Sequence, residues 1–338
     1  MQNNEFTMRM PDDFHLHLRN GAMLRAVLPH SARQFKRGLI MPNTVPAILC
    51  AWDMQKYEEE IAEAVGDSGF KTLMAIQITE STTPEMVVEA KEVGAIAGKV
   101  YPHGMTHNSE NGVKNYDALF PPLGAMQECG MLALFHGESP ERGVFCLDRE
   151  AAFLRILTRT ASSFPRLKMV MEHVTTAEAV NHVRGLGNNV AATITVHHLC
   201  LTLDDVLGDK LEPHHFCKPV AKRQEDREAL LRAATSGDPQ CFLGTDSAPH
   251  LKGAKECASG CAGIFTAPVA IPLLFEIFEE RDAVEKLEDF CSGFGADFYG
   301  IPRNKETITL VREPWTVPEI CDGVVPFRAG KEMAWKVK

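Results

Sequence analysis

The chain has 338 residues, 45% of them apolar and 24% charged, with a net charge of -10 and a pI near 5.7. That is enough chain and enough apolar surface for a large single-core α/β barrel. The acidic balance argues against nucleic acid or an anionic membrane as the main partner, though a local basic pocket can still receive an anionic substrate.

Ten cysteines are scattered along the chain without a Cys-x-x-Cys pair, so neither a structural zinc knuckle nor a disulfide framework is expected. The first residues show no basic segment followed by an apolar one, and the most apolar stretch, 266–278, is too short to span a bilayer. A cytoplasmic location is therefore expected.

Taken in chain order, the elements alternate. Residues 6–10 read as a short first strand that leads into the pair His15 and His17, followed by a helix over 23–33. A second strand at 38–41 ends in Pro42-Asn43, and a Glu-rich helix covers 53–65. Strand 71–78 precedes a helix at 84–93 that opens on proline. Strand 95–100 carries Lys99, and a helix follows at 117–129. Strand 131–135 ends at His136, with a helix over 148–162. Strand 168–172 ends at His173, and Thr176 opens the next helix. Strand 189–196 alternates threonine and aliphatic residues. After a helix at 223–234, strand 241–244 runs into Thr245-Asp246, and helices close the pattern at 267–280 and 284–290.

Eight strands alternating with helices predict a parallel α/β fold. A (β/α)8 TIM barrel is favoured over an open sheet by where the polar residues fall. His15, Lys99, His136, His173 and Asp246 all sit at strand C-terminal ends, and only a closed barrel brings such ends to one mouth. A single barrel domain spanning 1–338, with a C-terminal extension, is expected.

His15 and His17 are two apart, so on an extended strand both imidazoles face one side and can grip one cation. Phe14, Leu16 and Leu18 are expected to pack the other way. A lone His-x-His is weak; with His136, His173 and Asp246 it becomes a donor set suited to zinc. A buried Lys99 beside cations would be strongly disfavoured as an ammonium. It either snorkels at the rim or serves as a neutral amine that takes up carbon dioxide, giving a carbamate able to bridge two metals.

The segments Phe14–Arg19, Met41–Thr44, Gly98–Pro102, Phe135–Glu138, Glu172–His173 and Gly244–His250 together resemble dihydroorotase of the amidohydrolase superfamily, in its bacterial homodimeric class. The resemblance runs from about residue 7 to 330. It implies two zinc ions: one on His15, His17 and Asp246, the other on His136 and His173, with carboxylated Lys99 and a hydroxide bridging them. It implies reversible closure of N-carbamoyl-L-aspartate to L-dihydroorotate, with Asp246 as the proton carrier and the chain as a homodimer.

The same resemblance assigns Arg19, Asn43 and His250 to the substrate carboxylate, and the backbone of Ala262 to the ring. Residues 101–112 match the family's active-site loop, where two adjacent threonines commonly reach the substrate. Here Thr106 is followed by His107, a departure from that threonine pair. Lys218 stands where leucine is usual. Glu138 and Asp12 are expected to orient ligands, and His197 and His198 to lie outside the ligand set. Another cyclic amidase, such as a hydantoinase or dihydropyrimidinase, is the alternative; it would not need the carboxylate clamp.

Overall fold

The computed structural model describes residues 4–106 and 108–338. Eight parallel strands run in chain order around one sheet: β2 (Asp12–Leu16), β3 (Arg37–Ile40), β4 (Lys71–Ile78), β5 (Ala97–Val100), β6 (Leu132–His136), β7 (Met169–Glu172), β8 (Val190–Ile194) and β9 (Cys241–Leu243). The two ends meet beyond β9, where Asp246 N donates to His15 O at 2.9 Å and His17 N to Ser247 O at 3.2 Å. Helices cross over between successive strands, so the expected TIM barrel is what forms.

The first strand was misplaced by the sequence pattern. Residues 5–9 do form a strand, β1 (Glu5–Arg9), but it pairs antiparallel with β10 (Thr307–Thr316), which pairs in turn with β11 (Glu332–Val337) in a separate three-stranded sheet. The barrel begins after Pro11, with a strand that opens on two aspartates. Both are buried and satisfied. Asp12 accepts from Arg37 Nε at 2.8 Å and Asn304 Nδ2 at 2.8 Å. Asp13 accepts from Thr245 N at 2.8 Å, Thr245 Oγ1 at 2.6 Å and His15 N at 3.1 Å. Asp12 thus braces the barrel wall. Asp13, not Asp12, is the carboxylate that ties down the segments carrying His15 and Asp246.

Side chains fill two layers. Phe14, Leu39, Met41, Ala75, Ala97, Leu134, Val170, Ala191 and Phe242 form the interior, and a larger apolar layer lies between strands and helices. Phe14 belongs to the interior, while Leu16 and Leu18 belong to the outer layer, so the three do not pack on one side. The β2–β3 register shifts between Asp13 and Leu16, which breaks the strict alternation. The floor is closed by Phe14 stacked on Tyr299 with ring centroids 4.6 Å apart. Gly295 permits this packing, since a Cβ there would lie 2.2 Å from the Phe14 ring.

The small sheet packs on the helix Ala270–Glu280. Glu276 Oε1 accepts from Ala334 N at 2.7 Å and Trp335 N at 3.1 Å, and Phe275 meets the Trp335 ring at 4.4 Å. Among the described residues, no helix is long and apolar enough to cross a membrane.

Candidate metal centre and substrate clamp

His15, Lys99, His136, His173 and Asp246 converge at one end of the barrel, each from a different strand end, and none is more than slightly exposed. His15 Nε2 lies 3.3 Å from His17 Nε2 and 3.4 Å from Asp246 Oδ1, and His17 Nε2 lies 3.1 Å from the same oxygen. Zinc bonds of about 2.0–2.1 Å to nitrogen or oxygen give a tetrahedron with edges of about 3.3 Å. The three donor atoms therefore stand at the separations one such ion imposes. Burial pushes the His17 imidazole down to about 4, against the pull of Asp246, so at neutral pH its nitrogen is available as a ligand.

His173 and Asp246 hold positive φ values of 43° and 46°, a region that non-glycine residues seldom occupy. The surroundings fix both. His173 N donates to Thr193 Oγ1 at 2.7 Å. The following Thr175 and Thr176 are clamped by buried Glu150, which accepts from both amides and both hydroxyls at 2.6–3.0 Å. Asp246 is held by the Asp13 and His15 bonds across the barrel seam. Burial alone would raise the Asp246 carboxyl, but His15, His17 and His173 beside it hold it well below the usual range.

His136 turns its ring edge to His173, with centroids 4.7 Å apart. Its Nε2 lies 2.7 Å from Glu138 Oε2, which leaves Nδ1 for a metal and matches the expected orienting role of Glu138. Among the described residues, donor atoms of His15, His17 and Asp246 cluster within 4.8 Å, as do those of His15, Glu172 and His173; His136 joins neither trio. Lys99 is fully buried and its Nζ contacts Glu172 Oε2, so it does not snorkel. Burial pushes its ammonium below the ordinary lysine range, opposed by Glu172.

A third trio, His197, His198 and Cys217, is also buried. Two of its members have partners of their own: His198 reaches Thr195 Oγ1 at 2.9 Å and Pro219 O at 3.0 Å, and Cys217 Sγ reaches Pro219 O at 3.3 Å, while the ring nitrogens of His197 are buried without a hydrogen bond among the described residues. The strand there ends at Ile194, and His197 and His198 lie on the short helix Val196–Cys200.

Beside the metal-ligand cluster, Arg19 Nε donates to Pro249 O at 3.0 Å and Arg19 Nη2 lies 3.0 Å from His250 Nε2. His250 Nε2 is 3.1 Å from Ala262 O. Arg19, His250 and Ala262 thus form one row. Arg19 does not continue the strand: its φ is +61°, so a turn rather than two-residue alternation aims it. Asn43 is buried, and its backbone carbonyl accepts from Asn108 Nδ2 at 2.9 Å, which brings Asn108 of the 101–112 loop to the segment that follows β3. In that loop Thr106 N donates to Ser109 Oγ at 3.1 Å; His107 lies outside the described residues. Lys218 lines a ≈ 600 Å³ cavity that also includes Glu138, Phe216 and Lys255.

Three site residues escape the sequence pattern. Asp13 and Glu172 are two of them. The third is Lys255, whose Nζ donates to Phe216 O at 3.1 Å, Cys261 O at 3.0 Å and, more closely, to Gly263 O. It staples the loop that presents Ala262. Only Glu172 had a local signal, an acid ending an apolar strand beside a candidate ligand.

No family model matches the sequence. A dihydroorotase of Marinobacter nauticus is 47% identical over 339 residues, 98% of this chain and 99% of that protein. One of Teredinibacter turnerae is 45% identical over 341 residues, covering 99% of each. Among solved structures, dihydroorotase from Saccharomyces cerevisiae in complex with 5-fluoroorotic acid superposes with a TM-score of 0.93 at 33% identity, over 99% of this chain and 98% of that one. The Campylobacter jejuni dihydroorotase gives 0.92 at 39% identity, over 100% and 98%. L-Hydantoinase from Arthrobacter aurescens gives 0.85 at 14% identity, over 98% and 83%, a likeness of fold alone.

Proposed function

The chain belongs to the dihydroorotase family of hydrolases acting on cyclic amide bonds, and on that premise we propose that it interconverts N-carbamoyl-L-aspartate and L-dihydroorotate on two zinc ions. The observation that carries this reading is the spacing of His15 Nε2, His17 Nε2 and Asp246 Oδ1, 3.1–3.4 Å apart, beside a buried lysine and an arginine-histidine clamp. His15, His17 and Asp246 would hold one ion, His136 and His173 the other, with carboxylated Lys99 joining both. Bound zinc supplies a water that is nucleophilic near neutral pH and a polarised amide carbonyl.

The remaining work falls to the chain. Burial favours the neutral Lys99 amine, the form that reacts with carbon dioxide. Asp246, held charged by the histidines around it, accepts a proton from the attacking water and delivers it to the ring nitrogen as the ring opens. In ring closure it takes the amide proton instead. Arg19, Asn43 and His250 bind the substrate carboxylate, the Arg19 fork being oriented by Pro249 O. The Ala262 backbone meets the ring, Thr106 reaches in from the loop, and the Lys218 backbone lies at the cavity side. In the same reading the barrel and small sheet form one catalytic domain, working as a cytoplasmic homodimer.

Arg19→Met tests the clamp. Hydrogen bonds to charged groups contribute roughly 1.5–3 kcal/mol, so KM for dihydroorotate is expected to rise about 10- to 100-fold with zinc content unchanged. Steady-state kinetics with an unchanged KM would remove Arg19 from the substrate site.

A further inference from the structure

Glu172 has no part in the reaction as drawn above, yet it stands at the centre of the cluster. It ends β7 directly before His173, and its side chain has no exposed surface. One oxygen, Oε2, lies 2.8 Å from His15 Nδ1 and also contacts Lys99 Nζ. His15 Nδ1 is a buried nitrogen with no other hydrogen-bond partner among the described residues, and Glu172 Oε2 stands within hydrogen-bond distance of it. A single oxygen from the sixth barrel strand thus joins a histidine of the first to a lysine of the fourth.

We propose that Glu172 is a positioning residue that couples the two metal positions through His15 and Lys99; this deepens the reading above and rests on it. At His15, a carboxylate at Nδ1 calls for the N–H there. That leaves Nε2, which faces His17 and Asp246, with its lone pair free for a metal. At Lys99, the amine lone pair attacks the carbon of carbon dioxide. The C–N bond forms, one C=O pair moves onto oxygen, and one N–H proton leaves to water. The carbamate nitrogen keeps one hydrogen. Glu172 Oε2 accepts it, fixes the plane of the group and, being itself negative, turns the carbamate oxygens away toward the barrel mouth.

Glu172→Gln keeps the shape and removes the charge. In whole protein loaded with zinc, three quantities test the role: zinc bound per chain, zinc affinity by chelator competition, and the carbamate carbon signal in ¹³C NMR after equilibration with ¹³C-bicarbonate. The expected result is zinc binding about 10- to 100-fold weaker and a smaller carbamate signal at the same bicarbonate. A Lys99→Met background isolates the His15 arm. There Glu172→Gln still weakens the remaining zinc, an effect that a mere counter-ion for Lys99 does not produce. The double variant also removes both members of the buried Lys99–Glu172 contact together, which covers the case in which Glu172→Gln alone fails to fold. Unchanged zinc affinity in both backgrounds, with an unchanged carbamate signal, overturns the role of Glu172. If wild type then still binds two zinc ions and turns over dihydroorotate, only this inference has failed. A wild type without zinc and without turnover overturns the functional reading itself.

Discussion

Lys99→Ala is expected to lower activity by roughly 10³-fold, about 4 kcal/mol of lost transition-state stabilisation, and to lower zinc from two ions per chain to about one. The lysine is fully buried and comes from a strand of its own, so no neighbour can replace the bridge proposed for it. The trio His15, His17 and Asp246 does not depend on it, and one ion is retained there. The change also leaves Glu172, a buried carboxylate, without the lysine nitrogen it contacts. Leaving a buried polar group unpartnered costs about 1–3 kcal/mol, more for a charged one, so thermal unfolding of the variant is measured beside its kinetics and metal content. Two retained zinc ions with wild-type turnover would show that Lys99 bridges nothing.

Asp246→Asn combines two losses. The amide is a poorer metal ligand than the carboxylate, and it cannot carry a proton between water and the ring nitrogen. General acid-base catalysis contributes about 10²- to 10⁴-fold, and a fall toward the upper end is expected in both directions of the reaction. In wild type, His15, His17 and His173 hold this carboxyl well below the usual range. It is therefore charged at neutral pH, and protonation abolishes its role only at strongly acidic pH. The variant should lose activity across the whole pH range rather than shift its profile. A variant that retains more than a tenth of wild-type kcat would assign the proton transfer elsewhere.

Much of the centre is legible in sequence because its ligands end strands. Lys99, His136, His173 and Asp246 each close a mostly apolar strand, His15 stands in the His-x-His pair, and the barrel topology converts those positions into convergence. Residues acting through other residues are harder to read. Asp13 stands beside Asp12 in a strand that opens on charge, and nothing local tells which one reaches Thr245 and His15. Glu172 looks like the polar end of an apolar strand until the barrel brings Lys99 and His15 to it. Lys255 is a surface-like lysine in sequence, buried only because three carbonyls close on it.

The fold shows the same division. The longer helices and seven of the eight barrel strands follow from periodicity, but the short helices Val196–Cys200 and Phe294–Tyr299 do not. The first strand does not, because residues 5–9 alternate as well as any barrel strand and only their distant partner, Thr307–Thr316, decides the sheet they join. That partner and β11 lie past the last predicted helix. The pairing of β1 with β10 spans some three hundred residues, as Glu5 opposite Val311 shows, and leaves no local mark. Arg19 reaches the clamp by a left-handed turn, which strand alternation does not foresee.

The proposed clamp of Arg19, Asn43 and His250 is what would set this chain's substrate apart from that of other cyclic amidases. The most direct measurement is turnover of L-dihydroorotate against dihydrouracil by the zinc-loaded wild-type protein, with bound metal determined on the same sample. Two zinc ions per chain, hydrolysis of dihydroorotate together with the reverse closure of N-carbamoyl-L-aspartate, and little or no action on dihydrouracil are the predicted result. Two bound zinc ions with preference for dihydrouracil, or with no turnover of dihydroorotate in either direction, would contradict it.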